Sequence, residues 1–243
     1  MATSLYPLAI IFENEDFIAV NKPAGLLSIP ASDGNDPSLK ELLKTRYDAI
    51  YTVHRLDQDT SGVILFARHE ASHKFLSQAF ESRVVIKKYL GIVHGVLSQK
   101  KGRVEVALSR HASKRNVVVP DKKGKPSITD YEVLEEFGSY SLVQFHIHTG
   151  RTHQIRVHMQ HLGHPVVCDE LYGNWEPVLV SSFKKKFKLS KFAEEEKPIL
   201  SRLALHAWSL EIPDANGNEY TIEAPMPKDM KAFLQQLRKW NKK

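Results

Sequence analysis

The chain has 243 residues, and its 34 Lys and Arg against 28 Asp and Glu leave a net charge of +6. With 42% hydrophobic and 26% charged residues it is ordinary globular material, which excludes wholesale disorder and fibrous repeats. The single cysteine, Cys168, excludes an internal disulfide and points to a reducing, cytoplasmic setting. No apolar stretch is long enough for a membrane span, and the first six residues lack the basic start of a signal peptide, so neither is expected.

In chain order, Ile10–Phe12 and Phe17–Val20 read as two short strands. A loop through Asp33–Pro37 leads to a helix at Pro37-Ser38-Leu39, with Asp36 as the expected cap and Leu39, Leu42 and Leu43 on one face. Gly62–Ala67 is fully apolar, as a central strand requires. Ala71, Phe75, Leu76 and Ala79 recur at helical spacing. From Lys88 to Tyr140 β-branched and aromatic residues dominate, with turns expected at Gly95, Gly102, Gly124 and Gly138. Ser141–Ile147 reads as a strand with a register break, and His153–Leu162 as a helix capped by Thr152. Residues 174–200 are of mixed charge. Residues 203–212 and 219–224 form a strand pair turned at Asn216-Gly217, and Pro227–Trp240 is an amphipathic helix. Strands without regular βα alternation predict an α+β fold, built on one extended, mostly antiparallel mixed sheet flanked by helices and loops.

The charge is unevenly spread. Between Lys100 and Pro126 stand nine basic residues, opposed only by Glu105 and Asp121. Such a stripe suits a polyanion, because each neutralised phosphate releases a counterion. The later run Lys184–Lys191 precedes Glu194-Glu195-Glu196, which cancel it, so it reads as a solvated face.

Two polar segments carry chemistry. Val53–Gly62 precedes the central strand and contains Arg55 and Asp57, at the mouth of the sheet where reactive groups usually sit. The residue types leave Asp57 open as a nucleophile, a metal ligand or a turn cap. In His148–His158, Gly150 ends a strand and Arg156 lies beside the buried stripe of the following helix. A partly buried guanidinium there demands an acidic partner, for which Asp57 is a candidate; the alternative is that Arg151 and Arg156 are solvated.

Taken together, His54-Arg55-Leu56-Asp57, Thr60-Ser61-Gly62 and Leu65–Arg68 resemble the catalytic motif of RluA-type pseudouridine synthases. The resemblance continues through Asn21–Leu27, Lys87-Lys88-Tyr89, Thr149–Arg156, Gly163-His164-Pro165, Asp169, Tyr172-Gly173 and Leu205-His206-Ala207. These blocks keep the family's order across roughly residues 8–225, so a single catalytic domain over residues 1–243 is implied, closed by the helix at 227–240. The chain starts almost at the catalytic fold, as in compact members that lack the N-terminal S4 RNA-binding domain. Cys168 stands where the family usually has glycine, and against the family pattern residues 174–200 look like an insertion.

The resemblance implies an isomerase that needs no cofactor and no metal. It detaches uracil from ribose, turns the base and rejoins it through carbon 5. Asp57 would be the catalytic carboxylate, Arg156 the arginine that pairs with it, and Tyr89 the tyrosine packed on the base. Arg55 would fill the space left by the flipped uridine. His54, Lys87, Arg151, His153 and Gln154 would contact RNA, joined by Lys114, Arg115, Lys122 and Lys123 of the basic stripe. The implied partner is RNA, as ribosomal and/or transfer RNA stem-loops, with no membrane and no obligatory protein partner, and the chain is expected to be monomeric. Two other classes compete: a non-catalytic RNA-binding module, and a metal-dependent hydrolase using some of the twelve histidines. The hydrolase lacks the His-Glu-x-x-His helix and the cysteine pairs that zinc sites favour.

Overall fold

The computed structural model describes residues 8–31, 36–184, 187–189, 194–214 and 217–240. They form two compact units: one holds the chain up to Tyr89 with residues 146–149 and 206–225, the other holds the remainder.

The first unit is built around β4 (Ser61–Ala67), all seven residues of which are buried. Strands cover its edges: β2 (Phe17–Lys22) runs antiparallel with Phe17 opposite Ala67 and Lys22 opposite Gly62. β3 (Tyr51–Thr52) pairs with its far end, and β11 (Leu205–Pro213) lies parallel at its start, His206 opposite Ser61 and Ala207 opposite Gly62. Enclosure of this kind explains the unbroken apolar run. Gly62 has φ +117°, and a Cβ there would stand 2.1 Å from the carbonyl oxygen of Ala207, so only glycine lets the two strands meet. β1 (Ile10–Glu13) pairs with β2, and β12 (Glu219–Glu223) with β11. Gly217 turns the latter pair at φ +85°, while Asn216 lies outside the described residues.

Two helices complete this unit. α1 (Leu39–Lys44) is capped by Ser38, not by Asp36 as expected. The Ser38 hydroxyl accepts the Glu41 N–H at 3.3 Å, and the Glu41 carboxylate accepts the Ser38 N–H at 3.2 Å, a reciprocal box that leaves no role for Asp36. Residues 33–35 of the expected loop lie outside the described residues. α2 (Glu70–Glu81) starts on His69, whose Nδ1 accepts the Ser72 N–H, and buries Leu76 and Ala79 in one core with Phe17, Ile64 and Phe66.

In the second unit β10 (Tyr140–Ile147), β9 (Ile128–Glu136) and β6 (Lys101–Glu105) lie side by side in that order, and β5 (Ile86–His94) joins them from Leu90 onward. Within β10, Leu142 and Val143 are both buried, so the strand is covered on both faces there. Gly102 is inside β6 rather than at a turn, since the Tyr131 ring crosses it and would meet a Cβ at 2.6 Å. β7 (Leu108–Arg110) and β8 (Val118–Pro120) form a separate hairpin. α3 (Gln154–His161) begins on His153 in the left-handed region, φ 55°, with no side-chain cap, so the expected Thr152 cap is not made. α4 (Lys228–Trp240) buries Met230, Phe233, Leu234 and Leu237, one stripe at helical spacing. The stretch expected as an insertion holds a short 3-10 turn, Val180–Ser182, and is closed by a bridge between Val178 and Leu200.

Candidate active site

Asp57 sits half-buried in the loop between β3 and β4, next to exposed Arg55. Its neighbours on both sides are held by side chains from the end of β2 and the segment after it. The Ser28 hydroxyl donates to the Leu56 carbonyl at 2.8 Å and accepts the Leu56 N–H at 3.0 Å. Lys22, fully buried at the end of β2, donates from Nζ to the carbonyls of Leu26 (2.7 Å), Gln58 (2.8 Å) and Pro23 (3.0 Å). An ammonium has three protons, and three carbonyls meet them. The Gly25 N–H adds a second bond to the Gln58 carbonyl, 2.9 Å long, and Gly25 itself is left-handed at φ +84°. Leu56 and Gln58 are therefore fixed, and Asp57 is presented between two anchored peptides.

Beside this loop, the β5 strand contributes Lys87 and Tyr89, which share a face because strand side chains alternate. Burial pushes the Tyr89 phenol well above its ordinary pKa, and the charge of Asp57 adds to the effect. His54 turns inward, stacks on Phe80 at 4.4 Å and accepts the Leu65 N–H at Nε2, 2.9 Å away. Burial, helped by Lys87, pushes its pKa down to about 3. The imidazole is neutral at physiological pH and serves as a brace for β4.

In the second unit, the acid that meets buried Arg156 is Asp169, where the sequence reading offers Asp57 as the candidate. The pair is bidentate, Nε to Oδ2 and Nη2 to Oδ1, both 2.7 Å. Asp169 also accepts the N–H groups of Leu171 and Tyr172, each at 3.0 Å, so its charge is fully met. The guanidinium stands 5.0 Å from the centre of the Tyr172 ring. The Tyr172 hydroxyl accepts the Val118 N–H at 2.8 Å and meets His153 Nδ1 at 2.8 Å, tying the β7–β8 hairpin to the start of α3. Gln154 is spent internally: its Oε1 accepts the Arg151 N–H, and its Nε2 donates to Ile128 O and Thr129 Oγ1.

The residues expected at RNA thus separate by position. Arg55, Lys114, Arg115, Lys122 and Lys123 are exposed. Arg151 is half-buried, with Nε on the Pro126 carbonyl at 3.1 Å. His54 and Gln154 point into the protein, and Lys87 is buried along its stem. The basic stripe is divided as well: Lys100, Lys101 and Arg103 pair with Glu136, Glu132 and Asp130 on or beside the next strand. Ser28 and Asp169 are the positions that sequence reading left without a role. Ser28 carries a weak signal, one polar residue between Leu26-Leu27 and Ile29.

A profile of the RNA pseudouridylate synthase family matches residues 16–161, more than half of the chain. The chain belongs to this family. Within it the chain is of the RluA type, as the motifs led one to expect. The ribosomal large subunit pseudouridine synthase D of Haemophilus ducreyi is 34% identical over 240 residues, 96% of this chain and 71% of that protein. An uncharacterized RNA pseudouridine synthase of Chlorobaculum parvum is 36% identical over 249 residues, 96% of this chain and 75% of the relative. Among solved structures, human RNA Pseudouridylate Synthase Domain Containing 1 superposes with a TM-score of 0.70 at 27% identity, over 98% of this chain and 97% of that one. The α+β pseudouridine synthase fold and the reading as an RNA uridine isomerase stand on this match.

Proposed function

We propose that this pseudouridine synthase isomerises particular uridines of structured RNA without a cofactor, with Asp57 as the reacting carboxylate. The observation that carries the reading is the two-sided anchoring of Leu56 and Gln58, which holds Asp57 in one geometry beside Tyr89. A carboxylate suits the chemistry, because opening a glycosidic bond develops positive charge on the sugar. The raised pKa of Tyr89 keeps its phenol protonated at neutral pH, so it serves as a donor and packing surface rather than as a base. Arg156 is assigned as the third catalytic residue on the family match, and its bidentate bond to Asp169 supports a guanidinium held in one orientation.

The target base cannot be reached inside a stacked helix, so it is extruded at a cost of a few kcal/mol. Arg55 is the residue we assign to the vacated stack, and its exposure supports that role. Lys114, Arg115, Lys122 and Lys123 follow the phosphate backbone, and Arg151 and His153 serve the same face. The relatives named as ribosomal large-subunit enzymes make large-subunit ribosomal RNA the first substrate to test, with transfer RNA as the second. The chain passes between its two units five times, so neither can be excised, which supports one catalytic domain. Among the described residues no helix is long and apolar enough to cross a membrane. A monomer in the cytoplasm is the setting we propose.

The decisive experiment is Asp57→Asn. The variant should bind ribosomal RNA as the wild type does and form no pseudouridine. Retained pseudouridine formation would remove Asp57 from the chemistry and favour a non-catalytic RNA-binding role for this loop.

A further inference from the structure

Among the buried cations of the first unit, Lys87 stands apart. Lys22 spends its ammonium on three carbonyls. Lys87 is 7% exposed, and among the described residues neither a carboxylate nor a carbonyl lies within bonding distance of its ammonium. What it faces is the Phe80 ring, 6.0 Å from Nζ, a weak attraction. Its charged neighbour is Arg83, of the same sign, and the neutral His54 stacks on the same Phe80 ring. Burial and Arg83 both push the lysine's pKa down. The stem of Lys87 is buried, but its ammonium is not among the enclosed polar atoms, so the tip reaches solvent. A cation held in place by its stem, with no counter-charge of its own among the described residues, is open to an anion that arrives from outside.

The neighbourhood says which anion. Lys87 and Tyr89 lie two residues apart on one face of β5, about 7 Å along the strand, and the Tyr89 phenol feels the charge of Asp57. We propose that Lys87 is the counter-charge for one anionic oxygen of the RNA nucleotide bound at Asp57. This inference rests on the reading of that loop as the uridine site. The oxygen has two possible sources. One is a phosphate flanking the extruded uridine. The other is a uracil carbonyl: the N1–C1′ bond breaks before the C5–C1′ bond forms, its electron pair rests on the base, and a proton lost from C5 is later balanced by one gained at N1. Between those events N1, O2 and O4 share a negative charge that an ammonium stabilises.

The test is Lys87→Met, which keeps the stem and removes the charge. Without RNA, the variant should melt at the same temperature as wild type or higher, because the ammonium it loses makes no hydrogen bond or ion pair among the described residues. With large-subunit ribosomal RNA, a phosphate contact predicts a Kd raised roughly tenfold or more and a log Kd against log salt slope smaller by about one. A uracil contact predicts an unchanged Kd and slope, with a single-turnover rate lowered roughly 10- to 100-fold. Kd, slope and rate all within twofold of wild type would overturn the proposal. So would a lower melting temperature that accounts for the lost function, since Lys87 would then be a structural residue. Melting, Kd and salt slope need no catalysis. A wild type that forms no pseudouridine would therefore sink the uridine reading and leave the phosphate contact of Lys87 measurable.

Discussion

Asp57 depends on two side chains that lie behind its loop. Ser28 closes both backbone groups of Leu56, and Lys22 gathers the carbonyl of Gln58, so the peptides on either side of the carboxylate are pinned. Ser28→Ala would leave a buried N–H and a buried C=O unmet, a loss of about 1–3 kcal/mol in urea denaturation. Because the carboxylate is then less well aimed, kcat should fall while KM changes little, and unchanged kcat would show that Lys22 holds the loop alone. The Asp57 loop was legible in the sequence, but the role of Ser28 was not, since a serine 28 residues before Leu56 acquires meaning only when the chain folds back on it. Strained residues tell a similar story. Cys168 adopts φ 56° with its side chain buried, which is the physical reason a glycine is at home there. The cysteine carries a backbone cost of about 1–2 kcal/mol.

At the level of elements, the basic stripe resolves into two parts with different meanings. Lys100, Lys101 and Arg103 lie on or next to β6 and face acids on β9, so their charges are largely neutralised by cross-strand pairing. Lys114 and Arg115 crown the β7–β8 hairpin, Lys122 and Lys123 follow it, and Asp121 is the one acid in that stretch of sequence. Neutralising these four should weaken RNA binding and lower the salt slope by about 0.7–0.9 for each phosphate that no longer meets a cation. Neutralising Lys100, Lys101 and Arg103 should change the slope much less; filter binding across a salt series separates the two. The sequence located the charge, but could not show which half was already paired. Helix starts failed for a related reason. Asp36, Ser38 and Thr152 are all competent caps by residue type, and the direction from which the chain enters each helix selects among them.

For the molecule as a whole, buried histidines set the response to acid. Burial lowers the pKa values of His54, His94 and His158, with His54 reaching about 3. Between that value and the ordinary 6.5 the unfolded chain binds more protons than the folded one, so stability is full above pH 6.5 and declines as pH falls through this window. Chemical denaturation at pH 7 and pH 5 should record the loss. His54→Gln, which can still accept the Leu65 N–H through its amide oxygen, should make the decline shallower. An unchanged pH dependence would mean that His54 is protonated at little cost.

The sequence by itself located the helices α1 to α4, core runs such as Gly62–Ala67 and the amphipathic stripe of α4, because hydrophobic periodicity is a local property of the chain. Its motifs also sufficed to place the chain among RNA pseudouridylate synthases. Only the tertiary structure decided which charges are met and which are left open among the described residues: Arg156 on Asp169, Lys22 on three carbonyls, Lys87 on none. Pairing of that kind joins residues far apart in the chain, and the cost of a buried charge is set by what surrounds it rather than by what precedes it.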